Sequence, residues 1–133
     1  GFCLGPEPAG ALLTYAGGRW KLWREEDGAI EVSHNDAGET YTASCWDRAV
    51  EAATGQRFAL GCTSGRVQVW GARTGELLGP TAEAFRALAR GSDCAVATLA
   101  LAHPDRGSVF VGCRAAPDVL EVGIADGVTR LTL

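Results

Sequence analysis

The feature that most constrains the fold is a strand-turn-strand pattern, which is clearest in residues 58–78, FALGCTSGRVQVWGARTGELL. Residues 58–62 are apolar or small, and residues 63–66 (TSGR) form a turn signal. Residues 67–70 (VQVW) then alternate apolar and polar side chains, which is typical of a strand with one buried face. A second turn leads to a third short strand at residues 76–78. Short strands joined by tight turns predict a small sheet of consecutive strands.

The same pattern occurs twice more in the chain. Residues 11–23 (ALLTYAGGRWKLW) give strand, turn and strand, and residues 108–122 do so again with a longer turn that contains Pro117. Trp23 and Trp70 each end the strand that follows the first turn of their copy. Their separation is slightly above the roughly 40 to 45 residues of some β-repeats. Three copies predict a repeat architecture. Their approximate limits are 1–33, 40–79 and 95–133.

Each copy is preceded by an apolar stretch that predicts a further, innermost strand. These stretches are residues 2–4, 41–46 and 95–102. The last of them, AVATLALA, contains small alanines that leave room where neighbouring sheets converge. Each copy is therefore predicted to contain four strands in sequential order, which makes an all-β fold.

Residues 81–90 (TAEAFRALAR) interrupt the β pattern and predict a short helix between the second and third copies. Thr81 is a suitable N-cap, Phe85 and Leu88 fall on one face, and Gly91 can end the helix. Such a connection is either structural filler or a docking element for a partner.

Composition narrows the classes of protein that this chain can belong to. A length of 133 residues, with 47% hydrophobic residues and 18 glycines, predicts one globular domain rich in turns. The formal net charge of -4 argues against a dominant phosphate-binding surface. No apolar run approaches the roughly 18 to 20 residues of a membrane-spanning helix. The absence of methionine favours a chain that begins inside a longer product.

The five cysteines are odd in number and contain no C-x-x-C motif. Reduced thiols in the core are the favoured interpretation, and a metal or redox role is the alternative.

The sequence contains no recognisable catalytic constellation. His34 and His103 fall in predicted turns, and His103 with Asp105 is better explained by a turn than by a catalytic or metal fragment. Neither a phosphate-binding loop nor a nucleophile elbow is present. The acidic residues 25–27 are interpreted as a solvated turn. We therefore predict a protein that is not an enzyme and has no cofactor, metal or small-molecule substrate.

Candidate binding residues come from the surface of the predicted repeats. Arg19, Arg66 and Arg114 recur beside the turn before the third strand, so they should lie at one end of the molecule. They either solvate the rim or form a basic arc for an acidic peptide or an RNA backbone. Phe85 and Arg86 of the predicted helix are further candidates for partner binding. Trp23 and Trp70 are predicted to be structural, with rings packed between sheets and a partner for each indole N–H.

The order of turn glycine, V-x-V-W strand and second turn resembles the WD40 repeat, one blade of a β-propeller. The resemblance implies a WD40-like β-propeller of which this chain supplies about three four-stranded blades, in a larger or incomplete ring. The copies depart from the pattern, since Gly17 and Ser64 replace the usual turn aspartate, and Arg24 and Gly71 follow the tryptophans. The polar network of such blades is therefore expected to be largely absent, with packing as the main support.

The chain resembles the N-terminal propeller of nucleolar WD-repeat subunits of the small-subunit processome. The resemblance lies in the order and spacing of residues 41–46, the central repeat, SVFVGC and VLEVGIADG. That resemblance implies a non-catalytic scaffold for protein–protein interaction in ribosome biogenesis. Its partners would be other proteins of a multi-subunit complex, with possible RNA in the assembly and no membrane, and its location nuclear or nucleolar. The alternatives are a generic cytoplasmic WD40 adaptor in ubiquitin ligase, transport or ciliary complexes, and an enzyme that uses a propeller funnel.

Overall fold

The computed structural model describes residues 1–4, 11–24, 28–46, 57–72, 74–85, 94–101, 107–114 and 117–132. These residues form three four-stranded antiparallel sheets. Sheet 1 contains β1 (Phe2–Leu4), β2 (Ala11–Ala16), β3 (Arg19–Arg24) and β4 (Ile30–Asn35). Sheet 2 contains β5 (Tyr41–Trp46), β6 (Arg57–Cys62), β7 (Arg66–Gly71) and β8 (Ala82–Glu83). Sheet 3 contains β9 (Val96–Leu101), β10 (Ser108–Cys113), β11 (Val119–Gly123) and β12 (Thr129–Thr132).

Strands that are adjacent in sequence are also adjacent in each sheet. The predicted all-β class and the four-stranded repeat are thereby confirmed, and the sheets are similar to propeller blades. The apolar stretches before each copy form β1, β5 and β9, each at one edge of its sheet. Across the described residues, no helix is long and apolar enough to cross a membrane.

Sheet 2 lies between the other two sheets because its central strands are apolar on both faces. Alternation along β6 directs Phe58 and Leu60 toward sheet 1 and Ala59 toward sheet 3. The cluster between sheets 1 and 2 contains Ala11, Leu13, Trp20, Leu22, Tyr41, Trp46, Phe58, Leu60, Cys62, Trp70 and Ala72. The cluster between sheets 2 and 3 contains Ala43, Ala59, Val67, Val69, Ala82, Ala84, Phe85, Val96, Val109, Val111, Cys113, Leu120 and Val122.

The fourth strand of sheet 2 differs from the prediction. Residues 76–78 contribute one isolated bridge, between Trp70 and Leu77, and the strand that pairs with β7 is β8. Gly79 has a φ of 71° and Pro80 follows it, so the chain leaves the ladder at this point and rejoins it at Ala82.

The predicted helix at residues 81–90 is corrected over its first half. Ala82 and Glu83 form β8, and Ala84 and Phe85 lie in a bend. The backbone N–H of Phe85 donates to the Gly65 carbonyl oxygen at 3.3 Å, and its side chain is fully buried. Sheet pairing and burial of the ring therefore outweigh local helix propensity here. Residues 86–90 lie outside the described residues.

All five cysteines are free thiols. Cys62 and Cys113 are buried, and the other three are partly buried. This placement agrees with the predicted thiols in or beside the core.

Candidate functional site: the turn end

The loop of residues 36–40 connects sheets 1 and 2 and is held from both sides. The Tyr41 N–H that follows the loop donates to the Gly17 carbonyl oxygen at 2.8 Å, and the Thr63 N–H donates to the Thr40 carbonyl oxygen at 2.9 Å. The turns after β2 and after β6 therefore border the same loop. Cys94, just before β9, contacts the Thr63 carbonyl oxygen at 3.5 Å, which brings the start of sheet 3 to this end as well.

We call this end of the molecule the turn end. It comprises turn residues 17–18 and 63–65, the loop 36–40, and Arg114, which follows β10 at the equivalent turn of sheet 3. The approach of the loop to sheet 1 is close: a Cβ added at Gly18 would overlap the backbone carbonyl oxygens of Asp36 and Glu39. Glycine at position 18 therefore permits the tight seating of this loop.

Glu39 is the buried charge of the turn end. The residue is only 7% exposed, and its carboxylate accepts hydrogen bonds from Ser64 Oγ and Arg66 Nη1, both at 3.0 Å. Arg66 also pairs with Glu83, at 3.3 Å between Nη2 and Oε1. The hydrogen bond and charge of Glu39, with a smaller contribution from Glu83, raise the pKa of Arg66 above its ordinary value. Two carboxylates thus compensate the Arg66 charge.

Gln68 is the centre of a second set of polar contacts, which join sheet 2 to the loop 36–40. Its Oε1 accepts hydrogen bonds from Tyr41 Oη at 2.9 Å and from Trp70 Nε1 at 3.2 Å, and its Nε2 donates to Asp36 Oδ2 at 3.5 Å. Gln68 is 4% exposed, so these bonds satisfy an amide that would otherwise be costly to bury.

The structure places His34 differently from the prediction. It lies in β4 and not in a turn, with its ring centroid 4.5 Å from that of Trp70 and 6.0 Å from that of Trp20. The second histidine candidate, His103 with Asp105, lies outside the described residues.

The usual blade network of a turn aspartate was predicted to be largely absent, and the described residues form a different polar network. A network exists, although it is built from Glu39, Arg66, Gln68 and Tyr41 and not from the usual turn aspartate. A lone glutamine inside the apolar strand VQVW was the available signal, because a buried amide requires partners.

Two buried side chains at the turn end, Cys62 and Tyr41, have raised pKa values, which is consistent with a structural role. Burial raises the pKa of the Cys62 thiol, and the nearby Glu39 carboxylate raises it further. Burial likewise raises the pKa of Tyr41, with smaller contributions from Cys62, Asp36 and Glu39. Both groups therefore keep their protons at neutral pH, whereas an activated nucleophile requires a lowered pKa.

Within the described ranges, no three His, Cys, Asp or Glu side chains are arranged so that they could hold a metal ion.

The three arginines of the predicted basic arc occupy the equivalent turns but differ in environment. Arg19, at the start of β3, and Arg114, after β10, are exposed, and no described residue forms an ion pair with either. Arg66 lies between two carboxylates, with 34% of its side chain exposed. Of these three arginines, the two that are exposed and have no ion pair among the described residues are therefore Arg19 and Arg114.

The other predicted binding residues do not add to this surface. Phe85 is fully buried in the cluster between sheets 2 and 3, so its ring is not accessible to a partner. Arg86 lies outside the described residues.

The two tryptophans have unequal structural roles. Trp70 is 5% exposed and its ring centroid lies 5.2 Å from that of Trp20 in sheet 1, so it packs between sheets as predicted. Trp23 is only partly buried and is absent from both core clusters. Its Nε1 donates to Thr14 Oγ1 at 2.8 Å, so both indole N–H groups have partners.

Comparison with known proteins finds structures with a similar fold, but it identifies no family for this chain. No family model matches the chain, and no curated protein matches it. Solved structures do match, and one is described as "Crystal structure of the computationally designed Ika4 protein". It is 20% identical, the match covers 96% of this chain and 69% of that chain, and the TM-score is 0.65. At this identity the likeness concerns the arrangement of the sheets alone.

Proposed function

We propose that the chain is a non-catalytic scaffold for protein–protein interaction, built from degenerate WD40-type blades that form part of a larger or shared β-propeller. The observation that carries this proposal is the Glu39 network at the turn end. Its hydrogen bonds fasten the loop between sheets 1 and 2 to Ser64 and Arg66, so they fix a surface instead of activating a substrate. Rigid sheets that hold connecting segments in place are a common basis for recognition.

The surface that suits a partner is the exposed part of the turn end. Arg19 and Arg114 supply positive charge on the two outer sheets, and the compensated Arg66 lies on the sheet between them. An acidic protein segment that spans the three sheets would pair with both exposed arginines. The net charge of -4 favours such a local contact over general binding to nucleic acid.

A role in ribosome assembly and a nucleolar location follow from the sequence resemblance alone, and they are part of the proposal in that sense. RNA in the assembly would then be held by neighbouring subunits. Adaptor functions in ubiquitin ligase, transport or ciliary complexes use the same kind of surface, so the identity of the co-purifying proteins distinguishes them.

The test is quantitative mass spectrometry of proteins that co-purify with the native protein, with and without nuclease. The wild type is compared with the double variant Arg19→Glu/Arg114→Glu. The matched control is Arg130→Glu, which reverses the charge of an exposed arginine of β12, away from the turn end. We expect the double variant to lose stoichiometric partners and the control to keep them.

Equal partner sets for all three proteins would overturn the turn end as the binding surface. A wild-type protein without any stoichiometric partner would overturn the scaffold itself. Pre-ribosomal subunits that are retained after nuclease treatment would support the ribosome-assembly role, and ligase, coat or ciliary subunits would support an adaptor.

A further inference from the structure

Arg66 contacts two carboxylates that differ in their environment. Its Nη1 donates to Glu39 Oε1 at 3.0 Å, and the Glu39 side chain is 4% exposed and also accepts a hydrogen bond from Ser64. Its Nη2 lies 3.3 Å from Glu83 Oε1, and the Glu83 side chain is 51% exposed. A buried carboxylate with two hydrogen bonds is costly to displace, whereas an exposed ion pair contributes little. One end of the guanidinium is therefore fixed, and the other is exchangeable.

Glu83 lies at the edge of sheet 2. It belongs to the two-residue strand β8, the last strand of the sheet, and it pairs in register with Arg66 at the start of β7. The Arg66 side chain is itself 34% exposed. The contact between the two side chains therefore lies at the surface, beside the turn end.

The equivalent position in sheet 1 carries no charge. Arg19 begins β3 as Arg66 begins β7, and its register partner on the outer strand β4 is Asn35. In sheet 2 the register partner on the outer strand is Glu83. The two arginines thus occupy equivalent positions, and Glu83 adds a carboxylate where sheet 1 has a neutral amide.

A carboxylate from another protein has the same chemistry as Glu83. The arginine guanidinium presents its N–H donors in a fixed fork that fits a carboxylate, so the two carboxylates would compete for the same donors. Arg66 lies on the sheet between those that carry Arg19 and Arg114. An acidic segment held by these two arginines would therefore keep its other carboxylates close to Arg66, at a high effective concentration.

We propose that Glu83 is an internal competitor at the turn end, and that a carboxylate of an acidic protein segment replaces it on Arg66 Nη2 while Glu39 keeps Nη1. This inference rests on the acidic partner of the proposed function. Arg66 then becomes the third anchor of the surface, and its contact with Glu39 keeps the guanidinium in position for the exchange. Only a segment with a carboxylate at the matching position gains this contact, so Arg66 selects among acidic segments.

The test is fluorescence anisotropy with a labelled oligoglutamate peptide and the purified 133-residue chain. Glu83→Gln should bind the peptide about two- to fivefold more tightly than the wild type, because the internal competitor loses its charge. Asp118→Asn is the matched control. It removes one negative charge from the connection between β10 and β11, which also carries Arg114, and Asp118 forms no ion pair with a described residue. It should change the dissociation constant by less than about 1.5-fold. Circular dichroism establishes that both variants are folded.

A second measurement requires no variant. Carbon-13 NMR of the wild-type chain follows the carboxyl signals of Glu83 and Glu39 during titration with the same peptide. The Glu83 signal should shift in proportion to the bound fraction, because this carboxylate leaves Arg66. The Glu39 signal should change little, because that carboxylate stays in place.

Equal affinities of the wild type and Glu83→Gln, with a Glu83 signal that does not shift, would overturn this inference. Equal gains for Glu83→Gln and Asp118→Asn would show a general effect of charge and overturn it too. If Arg19→Glu/Arg114→Glu still abolishes binding in that assay, the turn end remains the binding surface and only the role of Glu83 fails. Absence of peptide binding by the wild type and by Glu83→Gln would overturn the acidic partner and this inference together.

Discussion

The Glu39 side chain is 4% exposed and accepts hydrogen bonds from Ser64 and Arg66, while Gln68 binds Tyr41, Trp70 and Asp36. Most of these partners lie about 25 to 32 residues apart in the sequence, and they meet because the loop 36–40 and β5 lie beside the turn before β7 and β7 itself. The sequence could predict which residues end strands and which are apolar. It could not predict this network, because no local pattern connects a loop glutamate to an arginine in β7.

Replacement of Glu39 by glutamine is expected to destabilise the protein by about 1–3 kcal/mol, because Arg66 loses its buried charged acceptor. Urea unfolding measures the change in the free energy of unfolding. Glu83→Gln is the control: its side chain is 51% exposed, and an exposed ion pair contributes about 0–1 kcal/mol. Equal losses for the two variants would contradict the assignment of Glu39 as the anchor.

The raised pKa of Cys62 predicts a loss of stability at alkaline pH. An ordinary thiol has a pKa near 8.5, so above that pH the unfolded thiol loses its proton while the native thiol keeps it. The stabilising contribution is therefore complete below about pH 8.5 and declines as the pH rises. Unfolding free energies measured between about pH 8 and 10 should fall less steeply for Cys62→Ala than for the wild type. Parallel curves would refute a shifted Cys62.

At the scale of the elements, alternation and turn signals were sufficient for most strands. The predictions for residues 2–4 and 41–46 coincide with β1 and β5. The region after β7 was harder, because β8 has only two residues and its pairing depends on the break at Gly79 and Pro80. A helix-like pattern of Phe85 and Leu88 was misleading there, since burial of Phe85 between two sheets is a tertiary effect.

The equivalent tryptophans should differ in their contribution to stability. Trp70→Ala removes a ring packed between two sheets and is expected to cost about 3–5 kcal/mol. Trp23→Ala removes a partly buried ring on an outward face and should cost about 1–2 kcal/mol. Thermal and urea unfolding of both variants, in monomeric protein, provide the comparison. A Trp23 variant that is the less stable of the two would contradict the packing described above.

At the scale of the whole molecule, sheet 2 packs against sheet 1 on one face and against sheet 3 on the other. The repeat was predictable because each copy carries its own turns and alternation. The element that covers each sheet face was not predictable, because the same apolar alternation suits a face covered by this chain and a face covered by another chain. The proposed function rests on the turn end, whose contacts the sequence alone does not indicate.

The packing of three sheets with sheet 2 in the middle is tested most directly by amide hydrogen exchange in dilute, monomeric protein. Amides of β6 and β7 should exchange slowest, by about tenfold or more relative to β2, β3, β10 and β11, because opening them exposes two apolar interfaces instead of one. Slow exchange confined to β6 and β7 is the predicted result. Equal protection in all three sheets, or fastest exchange in sheet 2, would contradict the three-sheet arrangement.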